Sequence, residues 1–112
     1  MVYEIVSSPD FDRQAKRLAK HYPSFKSDFL LFLDSLRENP YQGTELGGGI
    51  RKIRMQITSK GKGKSAGTRV ITMNINIDVE RLRIALVYIY DKSEAENVKD
   101  SFLKRIIGDL KL

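Results

Sequence analysis

Lys52 and Arg54 stand two residues apart in the run Ile50-Arg51-Lys52-Ile53-Arg54, and Arg69 follows a glycine-rich, lysine-bearing stretch. On a β-strand, residues two apart leave the same face. If the chain folds back as a hairpin, Arg69 opens the neighbouring strand, and three cations can converge on one sheet face. Guanidinium groups match phosphate oxygens in a two-pronged geometry. Cations fixed in this way can hold a phosphate, or stabilise the crowded anionic phosphorane formed when a phosphodiester is cut. The bland alternative is a solvated strand face with snorkelling side chains. The pattern alone leaves both readings open.

Further cations flank this pair. Arg51 precedes Lys52, and Lys60, Lys62 and Lys64 alternate with Gly61 and Gly63. Glycine lets backbone approach a phosphate closely, and lysines in such a stretch supply sequence-independent, salt-sensitive affinity for nucleic acid. A solubilising loop would have the same composition. Tyr88, Tyr90, Asp91 and Lys92 close a long apolar run. Tyr88 and Tyr90 share a side, where a ring can stack on a base and a phenol can donate a proton. Tyr88 reads as core, whereas Tyr90, Asp91 and Lys92 read as edge residues. Asp91 can equally hold Lys92 or Arg69 in an ion pair.

Several chemistries are excluded. Gly63-Lys64-Ser65 resembles the end of a phosphate-loop motif, but Thr58 stands where that motif needs glycine, and a strand pattern follows where it needs a helix. There is no cysteine and one histidine, so no thiolate nucleophile, disulfide or zinc spacing is available. His21, at a helix end, reads as a C-terminal partner of the helix dipole. No metal and no cofactor is expected.

The charge is local. Residues 46 to 77 hold seven cationic side chains and no acidic one, within a chain of net charge +6. Without that segment thirteen bases face fourteen acids, a net of −1. A basic segment lacking counter-charges reads as a site for a polyanion, nucleic acid first. At 112 residues, 41% hydrophobic and 30% charged, the chain is one globular domain, 1–112. Its first residues lack the basic and apolar regions of a secretory signal, and no apolar run approaches the roughly 20 residues that span a bilayer. Together with the missing cysteines this reads as a cytoplasmic protein without a membrane partner.

The elements that must position the cations follow from periodicity. Val2 to Val6 reads as a strand. Ser8-Pro9 is an N-cap followed by proline at the first helical position, and Phe11, Ala15, Leu18 and Tyr22 form one helical stripe. Pro23 ends that helix. Ser24 caps a second helix that buries Phe25, Phe29, Phe32, Leu33 and Leu36 and stops at Asn39-Pro40. Tyr41 to Gly49 reads as a loop. Ile50 to Ile57 alternates as a half-buried strand, with Ile53, Met55 and Ile57 opposite Lys52, Arg54 and Gln56. Thr58 to Thr68 reads as a flexible connection and Arg69 to Ile77 as the next strand. Asp78-Val79-Glu80 is a turn, and Leu82 to Tyr90 is a strand apolar on both faces. Ser93 and Glu96 have the spacing of a capping box, which opens a C-terminal helix carrying Ala95, Val98, Phe102, Ile106 and Leu110. The expected class is α+β, in the order β-α-α-β-β-β-α. It has a mostly antiparallel four-stranded sheet with the helical hairpin and the C-terminal helix on one face. One conflict stands: strict alternation puts Arg69 beside Ile71, Met73 and Ile75. Either a bulge rotates Arg69, or the cationic face is partly apolar.

In this order of elements, in the basic strand Ile50 to Arg54, and in the stretch Gly61-Lys62-Gly63-Lys64-Ser65-Ala66-Gly67-Thr68-Arg69-Val70-Ile71, the chain resembles toxins of the RelE/ParE superfamily, closest to the RelE-like HigB toxins. The ending Tyr88-Ile89-Tyr90-Asp91-Lys92-Ser93-Glu94 is also similar to the family's last strand. The resemblance implies a RelE-like fold and a ribosome-dependent, metal-independent mRNA endoribonuclease of a type II toxin-antitoxin system. In such enzymes the 2′-hydroxyl attacks the adjacent phosphate, leaving a cyclic phosphate and a 5′-hydroxyl. It further implies the ribosome and mRNA as partners, with a cognate antitoxin of helix-turn-helix type. The catalytic group carried over is Lys52, as proton acceptor, and Arg54 and Arg69, the latter as phosphorane stabiliser, with Tyr90 and Lys92 at the last strand. Arg51, Lys60, Lys62 and Lys64 are the RNA-binding set. The chain departs from RelE where an arginine after the last strand is replaced by Ser93 and a substrate-stacking tyrosine by Lys99. The superfamily also contains ParE-like inhibitors of DNA gyrase, and a non-catalytic nucleic-acid-binding relative is the third reading.

Overall fold

The structure, a computed structural model, describes residues 1–60, 67–95 and 97–110. Its elements are β1 (Val2–Ser7), α1 (Pro9–His21), α2 (Phe25–Glu38), β2 (Thr44–Gly47), β3 (Ile50–Gln56), a 3-10 turn (Thr58–Lys60), β4 (Gly67–Asn76), β5 (Arg81–Asp91) and α3 (Asp100–Asp109). The fold is α+β, built on one five-stranded mixed sheet of order β1-β5-β4-β3-β2. β1 runs parallel to β5, and every other pairing is antiparallel.

Local sequence dictates much of this. The Ser8 hydroxyl accepts the Phe11 N–H at 2.9 Å, capping α1 with Pro9 in its first turn. The same hydroxyl donates to the Val87 carbonyl at 2.6 Å, tying the start of α1 to β5. Alternation along β3 buries Ile53 and Met55 as expected, with Ile57 continuing the pattern just beyond the strand.

Four expectations are corrected. The segment expected as a loop holds a fifth strand, β2, exposed at all four positions and joined to β3 by a turn in which Gly47, Gly48 and Gly49 all have positive φ. The helices lie on both faces of the sheet. Helices α1 and α2 pack Phe11, Leu18, Phe25, Phe32 and Leu36 against Ile53, Val70, Leu82, Ile84 and Ile89. Helix α3 packs Leu103 and Ile106 against Ile71, Ala85 and Val87 on the other face. Ser24 makes no side-chain cap to α2; its hydroxyl donates to Asp28 at 2.7 Å instead. Helix α3 begins at Asp100, not near Ser93, whose N–H and hydroxyl are both engaged by Asp91. Glu96 lies outside the described residues.

The conflict over Arg69 is resolved in favour of a partly apolar face. β4 runs in unbroken register against β3, so Arg69, Ile71, Met73 and Ile75 do share a side. The irregularity is in β5, where Ile71 pairs Tyr88 and Thr72 pairs Leu86, leaving Val87 as an extra residue. Beyond that bulge the parity of β5 switches. Ile89 joins Leu82, Ile84 and Leu86 under the helical hairpin, and Tyr90 turns to the α3 side.

Candidate functional site: a cationic row across three strands

Register places the charged residues in rows. Arg54 lies directly opposite Arg69, and Arg69 directly opposite Tyr90, so these three form one line across β3, β4 and β5. The neighbouring line is Lys52, Ile71 and Tyr88. Facing side chains on adjacent strands have Cβ atoms about 5 Å apart, close enough for one phosphate to meet both guanidinium groups. Helix α3 covers the half of this face that carries Ile71, Ala85 and Val87. At the other end Arg54 is exposed and Arg69 half-buried.

Lys52 and Arg69 are each held by a hydrogen bond. The Lys52 ammonium donates to Asn97 Oδ1 at 3.0 Å, reaching from β3 to the segment before α3. Arg69 Nη1 donates to the Thr68 carbonyl at 3.3 Å. Gly67 opens β4 opposite Gln56, and a Cβ there would stand 2.8 Å from the Met55 carbonyl and 3.5 Å from Arg54 Nε. A side chain at Gly67 would therefore push apart the strand ends that carry the two arginines.

Behind this face lies a polar hub. Asp91 is 1% exposed and accepts from the Tyr22 hydroxyl at 2.5 Å, from the Ser93 N–H at 2.9 Å and hydroxyl at 2.7 Å, and from the Lys60 ammonium. Burial pushes the Asp91 carboxyl up, but these hydrogen bonds outweigh it and hold it well below the ordinary carboxylate range. The hydrogen bond to Asp91 is also the chief reason the Tyr22 phenol is pushed up to about 12, with burial adding to it. The hub pins the end of α1, the 3-10 turn and the end of β5 to one another.

The candidate residues therefore separate. Lys52, Arg54 and Arg69 come together as expected. Tyr90 shares their face but is 5% exposed and stacked near Tyr88, with ring centroids 6.4 Å apart, and burial raises its phenol above the ordinary value. Lys92 directly follows β5, and its N–H reaches the Gly67 carbonyl at 3.4 Å. Two members of the expected RNA-binding set stand apart from the row. Arg51 points to the opposite face, donating to the Gln42 carbonyl at 2.8 Å and the Gly43 carbonyl at 3.3 Å, because residues one apart on a strand leave opposite sides. Lys60 is bound into the Asp91 hub, so the partner of Asp91 is neither Lys92 nor Arg69. Lys62 and Lys64 lie outside the described residues.

Sequence reasoning missed Asn97, Arg17 and Phe102. All three line an open hollow of about 540 Å³ beside the cationic row, together with Tyr88, Tyr90 and Lys99. Arg17 of α1 closes one side through a two-pronged bridge to Glu94 at 3.1 and 3.0 Å. Asn97 contacts Lys52 across 45 residues, a separation that leaves no local signal. Among the described residues no group of three or more His, Cys, Asp or Glu side chains is arranged to hold a metal ion. No protein-family model matches the chain, and no curated protein matches it significantly.

Proposed function

We propose that the cationic row is a phosphate-binding site for RNA, and that the protein is a toxin of the RelE/ParE type. In this reading it cleaves ribosome-bound mRNA without a metal and is held in check by an antitoxin. The observation that carries the reading is the facing pair Arg54–Arg69, with Lys52 two residues along on the same face. Three cations from two paired strands around one point suit the charge that develops on a phosphorane. In the reaction the 2′-oxygen bonds to phosphorus and the bond from phosphorus to O5′ breaks. Lys52 takes the 2′-hydroxyl proton as its amine and so becomes the ammonium beside the phosphorane, and O5′ leaves as a hydroxyl after gaining a proton from water.

A second reading is favoured by one observation. Tyr90, the aromatic residue in the row, is 5% exposed, so its hydroxyl is poorly placed to protonate a leaving group. A phosphate cradle without a general acid is a nucleic-acid-binding module without turnover. Induced expression followed by primer extension on translated messages separates the readings. Cuts that vanish in Arg69→Ala support cleavage. Intact messages with growth arrest and DNA damage point to gyrase inhibition, and intact messages without toxicity leave the binding module.

A further inference from the structure

Helix α1 carries a second basic surface. Arg13, Lys16, Arg17, Lys20 and His21 fall at helical spacings of three and four and are all exposed, while the acids of the helix, Asp10 and Asp12, are confined to its first turn. Arg13 bridges Asp10 and Arg17 bridges Glu94, but Lys16 and Lys20 have no ion pair among the described residues. Lys16 and Lys20 lie one turn apart, about 6 Å along the axis. Arg17, Lys20, His21 and Glu94 line a hollow of about 280 Å³ at the end of the helix.

That hollow shares Arg17 and Glu94 with the larger hollow of about 540 Å³ that Lys99, Asn97, Tyr88 and Phe102 also line. Asn97 in turn holds the Lys52 ammonium at 3.0 Å. The basic stripe of α1 is thus joined to the cationic row by a hollow with an aromatic wall and cations on its rim. A single-stranded nucleic acid uses both features, stacking bases on rings and placing phosphates against cations. A bilayer does not fit. The apolar side of α1, Phe11 and Leu18, is buried in the core, and α1 contributes no exposed large apolar residue to flank the stripe.

Building on the RNA-binding reading, we propose that one RNA strand runs from Lys52, Arg54 and Arg69 past Lys99 and Arg17 to Lys16 and Lys20. Helix α1 thereby grips the nucleotides that flank the bound phosphate. The site takes single-stranded RNA backbone without sequence preference and lengthens the footprint beyond the reacting nucleotides.

The test uses 2′-O-methyl oligoribonucleotides of four and twenty nucleotides, which lack the attacking hydroxyl, and titrates the full chain at several salt concentrations. For the Lys16→Gln/Lys20→Gln variant the salt slope on the longer probe falls by about 1.4, two contacts at roughly 0.7 each. Affinity at 0.1 M salt drops roughly tenfold, and the four-nucleotide probe is bound as before. A Lys26→Gln/Arg37→Gln variant, which removes the same charge from α2, changes neither slope. Thermal melts of both variants establish that they fold. Unchanged binding of the longer probe by Lys16→Gln/Lys20→Gln, with binding still lost in Arg54→Ala, overturns the α1 track and leaves the cationic row standing. A loss seen on polyglutamate but not on RNA overturns it in favour of an acidic protein partner. Failure of wild type to bind either probe removes both the track and the RNA reading beneath it.

Discussion

At the scale of single residues the account rests on charge placed by register. Arg54 and Arg69 face each other, and in the proposed reading removing either guanidinium removes a donor to the phosphate. Arg69→Ala is expected to lower cleavage on the ribosome by about 10²- to 10³-fold, measured as single-turnover loss of end-labelled message, with the melting temperature little changed. Lys52→Arg separates charge from proton transfer: arginine keeps the cation but is not deprotonated in proteins. This variant should retain RNA affinity and lose turnover, whereas equal turnover would remove Lys52 as the acceptor. The pairing of Lys52 with Arg54 was legible in the sequence because a strand alternates strictly. Arg51, expected in the RNA-binding set, is sent by the same alternation to the Gln42 and Gly43 carbonyls on the other side. An ion pair at Asp91 was legible, but its partners Tyr22 and Lys60, 69 and 31 residues away, were not, nor was the contact of Asn97 with Lys52 across 45 residues.

At the scale of elements, the hub and the glycine at the head of β4 hold the strands in place. Asp91 and Lys60 are 1% and 12% exposed in their side chains, so removing the carboxylate leaves a nearly buried ammonium without its counter-charge. Asp91→Ala should cost roughly 3 to 5 kcal/mol in chemical denaturation. The hub also sets the pH dependence of stability. The Asp91 carboxyl lies below its ordinary value in the folded chain, so its contribution is complete above about pH 4 and is lost as pH falls toward the folded value. The Tyr22 phenol lies above its ordinary value, so its contribution is complete below about pH 10. That contribution disappears as pH rises through about 12. Melting curves should show both limbs in wild type, with the alkaline limb shallower in Tyr22→Phe. Gly67→Ala forces a methyl to within 2.8 Å of the Met55 carbonyl and should cost roughly 1 to 3 kcal/mol while weakening RNA binding, because the strand ends bearing Arg54 and Arg69 separate. Elements with a local signature were legible: the Ser8-Pro9 cap, the alternation of β3, the Asn39-Pro40 stop. β2 was not, because four residues exposed at every position carry no burial period. The late start of α3 was not, because Ser93 spends both of its donors on Asp91.

At the scale of the whole molecule, two cores share one sheet, and their division frames the candidate site. The helical hairpin covers one face completely enough to bury Ile53, Ile57, Val70 and Ile89, while α3 covers only part of the other. Element order alone does not say on which face a terminal helix lands, which is why the sequence left α3 beside the hairpin. Placed there, it would have left the whole cationic face bare. Placed as observed, it packs on the apolar half, which reconciles Arg69 with its neighbours Ile71 and Met73. Binding of a four-nucleotide RNA should carry a salt slope of about −2, three phosphate contacts at roughly 0.7 each. A slope near zero would mean that the row does not engage phosphate. The most direct test of the central claim is the chemistry of the ends produced when purified protein acts on message bound to ribosomes in the presence of EDTA. The account predicts fragments ending in a 2′,3′-cyclic phosphate and beginning with a 5′-hydroxyl, absent with Arg69→Ala. Intact message, or cleavage that EDTA abolishes, would contradict it.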